Sequence, residues 1–144
     1  MIADAIFKAL VDPAVPAAAA ICAVLAQYGG KPCIFTDELP QDAALPAILI
    51  NEIGGDSGFA CRSRRGANLN VDVQIFGSKS YTSKATRALA KACWLFLGRL
   101  NLNPYITGFS ECGCVAEPPA NTNDGLGFPG YTIRVRVTVL ETLA

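Results

Sequence analysis

The chain has 144 residues, 51% of them apolar, and its twelve basic and twelve acidic side chains cancel to a formal charge of zero. A neutral chain has no long-range field with which to capture nucleic acid or an anionic membrane, so any such contact would have to be local. A chain of this length is most simply one domain, able to bury roughly 70% of its unfolded surface around a core that needs no staples. Its low charged fraction, 17%, suggests that some of the monomer's surface is covered in use, which favours an oligomer or a subunit of an assembly, with a small hydrophobic enzyme as the alternative.

Ile2, Ala5, Ile6, Ala9 and Leu10 recur at helical spacing, with Asp4 and Lys8 four apart on the opposite face. This predicts a helix ending near Asp12-Pro13. An acid and a base within the first residues do not suit a signal peptide, and export by that route is not expected. A second helix is predicted from Pro16 to a cap at Gly29-Gly30, burying Ala18, Ile21, Cys22 and Leu25. Its apolar run is well short of the roughly 20 residues that span a bilayer. Residues 31–35 read as a short strand that Pro32 confines to an edge or a strand start.

Asp37, Glu38 and Asp42 then cluster in a loop without the alternating spacing and glycine of a calcium loop, so a solvated loop is expected. Residues 45–53 form a better strand, which Gly54-Gly55 stops or bulges. Arg62, Arg64 and Arg65 follow in a basic loop that could grip phosphate or a partner's carboxylates through forked hydrogen bonds. Leu69, Val71, Val73 and Ile75 alternate with Asn70, Asp72 and Gln74, the pattern of an amphipathic strand.

After a turn at residues 77–80, Ala85, Ala88, Leu89, Ala92, Cys93, Phe96 and Leu100 mark a third helix, with Lys84, Arg87 and Lys91 on its wet side. Trp94 and Leu95 lie off that stripe, so another segment or another subunit should cover them. Residues 105–117 suggest a glycine-interrupted strand. Residues 118–130, including Asn121, Asn123, Asp124 and Phe128, read as a long loop of the functional or mobile kind. The chain closes on its clearest signal: Ile133, Val135, Val137 and Val139 alternate with Thr132, Arg134, Arg136 and Thr138, a half-buried strand with one wet face. Asp72 on a neighbouring strand makes cross-strand pairing the plain reading of Arg134 and Arg136, and a partner surface the sharper one. The expected fold is a single α+β domain over residues 1–144: an antiparallel sheet of about four strands with helices packed on one face.

Catalytic signals are sparse. The chain has no histidine, no Walker-type loop and no dinucleotide fingerprint after a strand. The glycine-rich residues 125–130 precede a strand, whereas a phosphate loop opens a helix. Six cysteines without secretory marks are expected to be reduced. Cys112 and Cys114 would share a face of a strand, and a small thiol-redox protein using them is the reading from a different functional class; their spacing does not suit zinc. No cofactor or metal is expected.

Taken in order, four passages resemble the tail completion, or tail terminator, proteins of long-tailed bacteriophages: the N-terminal helix at residues 2–10, the loop and strand at 43–50, the strand leading into a helix at 70–77, and the closing strand at 130–137. The resemblance implies a non-enzymatic subunit that assembles as a ring, often six-fold, on the head-proximal end of the tail tube. Such a ring stops tube growth and docks to the head connector. Its partners would be further copies of itself, the tail tube protein and the connector or neck protein, with DNA only in passage through the lumen and no membrane. Its place would be the neck region of the virion, after assembly in the host cytoplasm. Another neck or head-tail joining ring protein is the alternative within that class. On this reading Arg62, Arg64, Arg65, Arg134 and Arg136 are candidate subunit or tail-tube contacts, and Asn121, Asn123, Asp124 and Phe128 belong to a mobile assembly loop.

Overall fold

Apolar residues three and four apart build the first element, as expected. In the computed structural model, which describes residues 2–55, 58–61, 64–77, 83–122 and 130–142, helix α1 (Ile2–Leu10) buries Ile2, Ile6, Ala9 and Leu10 and leaves Asp4 and Lys8 in solvent. Pro16 then opens α2 (Pro16–Val24), where its missing N–H costs little. The expected run to Gly29-Gly30 does not occur. Leu25 turns extended, at φ −78° and ψ 150°, and the two glycines, at φ 59° and 81°, make the turn between β1 (Gln27–Tyr28) and β2 (Lys31–Pro32). Two consecutive positive φ values match the twist of a hairpin, a use of paired glycines that competes with helix capping.

The remaining elements are β3 (Ile34–Thr36), β4 (Ala47–Gly55), β5 (Phe59–Cys61), β6 (Arg64–Phe76), α3 (Ser83–Gly98), a 3-10 turn (Asn103–Tyr105), β7 (Phe109–Ala116), β8 (Ala120–Asn121) and β9 (Gly130–Glu141). The main sheet runs β3-β4-β6-β9-β7, with β5 against β6 and β8 against β9. It is antiparallel except at its edge, where β3 lies parallel to β4. The two strands with the strongest alternation form its centre: β6 and β9 pair without a break from Gly66 opposite Leu140 to Phe76 opposite Gly130.

This register puts Val71, Val73, Val135, Ile133 and Val137 on one face with Ile48 and Ile50, all buried. Each fully buried Val or Ile contributes about 1.5–3 kcal/mol of apolar burial. Helices α1 and α3 cover that face, α1 over β3 and β4 and α3 over β9 and β7. α2 packs outside them, against α3 and α1. The chain is thus a single α+β domain with helices on one face of the sheet. Among the described residues the expected count of about four strands becomes five along the sheet path plus the short β5 and β8. The additions are fragments too brief to show a period.

Side chains stitch the layers together. Glu52, on the helix-facing side of β4, accepts the Ala3 N–H at 2.9 Å and so meets the positive end of α1. Burial pushes its carboxyl pKa up, but that hydrogen bond and others at the helix start outweigh burial and hold it below the ordinary value. Trp94 donates its indole N–H to the Ala116 carbonyl at 3.1 Å, fixing α3 to β7. Tyr105 donates to the Asp12 carboxylate at 2.6 Å, tying the 3-10 turn to the α1–α2 corner.

Candidate functional site: two opposed surfaces

The sheet face away from the helices is polar because every second residue of β6 and β9 is. Asp72 stands directly opposite Arg134, and the guanidinium forks onto the carboxylate, Nε to Oδ1 at 3.1 Å and Nη2 to Oδ2 at 3.4 Å. Asp72 is the more enclosed partner, 13% exposed against 45% for Arg134, and its hydrogen bond and charge raise the Arg134 pKa. Arg136 does not pair with Asn70 opposite it. It reaches diagonally to Glu117, just past the end of β7, at 2.8 Å. Thr138 donates to the Asn68 side-chain oxygen at 2.8 Å. Val115, exposed in the same row as Arg136, adds an apolar side chain to this face. Cross-strand pairing thus accounts for Arg134 and Arg136, while their exposed edges still face solvent.

The basic loop is corrected in part. Arg64 and Arg65 lie within β6, opposite Cys61 and Ala60 of β5. Both are tied to Glu141 at the end of β9, Arg64 Nε to its carbonyl at 3.0 Å and Arg65 Nε to its carboxylate at 3.1 Å. The strand signal was hidden there because arginine and glycine carry no apolar alternation. Arg65 is so exposed that its pair adds little stability. Arg62 lies outside the described residues. The long loop is likewise corrected at Asn121, which with Ala120 pairs with Tyr131 and Thr132 of β9; Asn123, Asp124 and Phe128 lie outside the described residues.

Cys112 and Cys114 do not form a face-sharing pair. The register shifts between Glu111 and Gly113, leaving Cys112 exposed while Cys114 turns half-buried toward the Leu97 carbonyl. Burial first, and then Glu111, push the Cys114 thiol up to about 11, which leaves it protonated and weakly nucleophilic near neutral pH. Among the described residues no three His, Cys, Asp or Glu side chains gather as a metal site would need. No helix among them is long and apolar enough to cross a membrane.

The opposite side of the molecule carries a feature that sequence periodicity only half disclosed. Between α2 and α3 runs an open groove of about 800 Å³. Ala17, Ala20 and Val24 line one wall and Ala88, Ala92 and Leu95 the other, with Ile21 and Phe96 in its floor. Alanines on both walls keep it broad and shallow. Val24 and Leu95 remain 47% and 44% exposed, so the apolar surface expected to be covered is, at Trp94, covered by β7 and, at Leu95, left open. Arg99, Asn101 and Tyr105 close one end.

The arrangement is suited to binding: a polar, charge-paired sheet face on one side and an uncovered apolar groove on the other. Compared with protein-family models and with curated proteins, the chain matches none.

Proposed function

We propose that the chain is a tail terminator subunit of a long-tailed bacteriophage, which closes into a ring on the head-proximal end of the tail tube, halts its growth and presents a docking surface to the head connector. The observation that carries the reading is the open groove between α2 and α3, whose apolar walls would be shielded from water only by another molecule. A head-to-tail contact uses two different surfaces of each subunit, and when its rotation closes it gives a ring with a lumen. A subunit of this size, with a radius of gyration of about 15 Å, surrounds a DNA passage only through such repetition. The resemblance of the ordered passages supports the reading, as does the α+β domain with one polar sheet face.

On this reading the mechanism is surface complementarity. The groove side supplies subunit contact, and the sheet face with Arg134 and Arg136 offers hydrogen-bond donors to tube or connector carboxylates. The test is electron microscopy of particles made from the genome that encodes this chain, with and without its gene. Loss of the gene should give tails of uncontrolled length that fail to join heads, and normal particles should show rotational symmetry at the head-proximal tube end. Tails of normal length that fail only at head joining would point instead to a neck ring. Normal, infectious particles without the gene would refute both.

A further inference from the structure

The zero net charge conceals a sharp segregation. From Cys33 to Cys61 every charged side chain is an acid: Asp37, Glu38, Asp42, Glu52 and Asp56. From Val73 to Ser110 every one is a base: Lys79, Lys84, Arg87, Lys91 and Arg99. Among the described residues, the fold carries Asp37, Glu38, Asp42 and Glu52 to one side of the sheet and Lys84, Lys91 and Arg99, on or just after α3, toward the other. β3, β4 and the acidic connection between them form one edge, while α3 lies over β9 and β7 at the other.

At the acidic edge, Asp37, Glu38 and Asp42 are all exposed. Backbone bonds hold this connection in place: Asp37 N–H donates to Ile50 at 3.0 Å and Ala43 N–H to Pro40 at 3.1 Å. Beside it the Tyr28 ring packs edge-on against Phe35, centroids 5.6 Å apart, and directs its hydroxyl to Asp42. The edge therefore presents an aromatic pair flanked by carboxylates. Lys31, in the hairpin, is the base closest to it in sequence.

At the basic end, helical spacing sets Lys84, Ala88, Lys91 and Leu95 along one line of α3, at the outer lip of the groove. Lys84, Lys91 and Arg99 are exposed and form no ion pair among the described residues. An apolar trough with a cationic lip calls for an occupant that is apolar in the middle and acidic at its margin.

We infer that the groove between α2 and α3 receives the β3–β4 edge of a second copy of this chain, with Glu38 and Asp42 of one copy meeting Lys84, Lys91 and Arg99 of the next and the Tyr28–Phe35 pair covering the alanine walls. The contact is head-to-tail, since the donor edge and the receptor groove are two different surfaces of one subunit, and its repetition builds the ring. The inference rests on the ring reading and names the surfaces that meet within it. Unpaired charges of opposite sign in the two surfaces steer the copies together and set their register.

Charge reversal tests this on the isolated protein. One variant carries Lys84→Glu, Lys91→Glu and Arg99→Glu; the other carries Glu38→Lys and Asp42→Lys. Asp37 is left alone, because its φ of 68° suits aspartate better than lysine. Urea midpoints first establish that both variants fold. Sedimentation velocity up to ~1 mM protein in about 50 mM salt should show concentration-dependent association of the wild type that weakens with salt. Each variant alone should associate at least about tenfold more weakly, because like charges then face each other. An equimolar mixture should regain association, since one partner now has two acidic ends and the other two basic ends. Variants that associate like the wild type, or a mixture that stays as weak as its parts, would overturn the contact. A wild type that remains monomeric throughout would overturn it too. The ring reading stands or falls separately, on rotational symmetry at the tube end.

Discussion

Replacing Gly130 by alanine probes how residues 120–122 are held against β9, and the structure gives the size of the effect. A Cβ at Gly130 would lie 2.6 Å from the Thr122 carbonyl oxygen and 3.4 Å from that of Ile75. The first distance is about 0.8 Å short of ordinary van der Waals contact, and the obstruction is backbone, which cannot swing aside. Relief requires β8 to move away, weakening the bond from the Thr122 N–H to the Gly130 carbonyl at 2.9 Å. Overpacking of this kind costs about 1–3 kcal/mol. With a urea slope of about 2 kcal/mol/M, Gly130→Ala should lower the unfolding midpoint by about 0.5–1.5 M. Gly113→Ala is the matched control. That glycine lies on β7 with nothing near its Cβ position and no left-handed backbone, so alanine should stabilise by about 0.5–1 kcal/mol through reduced chain freedom. A Gly130→Ala midpoint equal to that of the wild type would refute the docking of β8 on β9.

Three further outcomes follow from the same contacts. A double-mutant cycle of Asp72→Ala and Arg134→Ala, read by urea unfolding, should give a coupling of about 0.2–1 kcal/mol that shrinks as salt is raised; zero coupling at low salt would contradict the forked pair. Glu52, whose folded pKa lies below the ordinary value of 4.5, adds stability that is complete above that value and is lost as pH falls through the folded one. Glu52→Gln should therefore be less stable than the wild type at pH 7, with the gap closing in acid; a gap that widened in acid would invert the assignment. In the native protein at pH 8, a thiol reagent should modify exposed Cys112 before Cys93, which, pushed up to about 12 chiefly by burial, should react only as the chain unfolds; equal rates at the two would rule out the buried setting of Cys93.

Long regular elements were legible in the sequence because their period repeats. β9 and the centre of β6 alternate strictly, and the structure pairs them residue for residue. Sequence pattern and structure part where one residue type serves two purposes. Gly29-Gly30 suits both a helix end and a hairpin turn, and the choice depended on Leu25 becoming extended and on Ala26 N–H reaching the Pro46 carbonyl at 3.1 Å. Arg64, Arg65 and Gly66 have no strand period of their own. Their strand exists because β5 pairs with all three, and from Gly66 onward β9 pairs on the other side. Cys112 and Cys114 failed for a third reason: a bulge shifts register by one residue and undoes any argument from shared faces.

The candidate surfaces were legible only as ingredients. Periodicity identified Trp94 and Leu95 as apolar residues off the main stripe of α3, but one helix cannot say which of its neighbours will be covered. Trp94 found the Ala116 carbonyl of β7; Leu95, one residue on and rotated by about 100°, faces the space beside α2. Charge behaves the same way. A sum of zero suggests a surface without preference, and a list of positions shows an acidic stretch followed by a basic one, yet neither has spatial meaning until the strand order is known. Had β3 and β4 paired beside β7, the two stretches would neutralise each other within one subunit. The order β3-β4-β6-β9-β7 sets the β3–β4 edge and the strands under α3 on opposite sides of the sheet, and the proposed contact between copies draws on that separation.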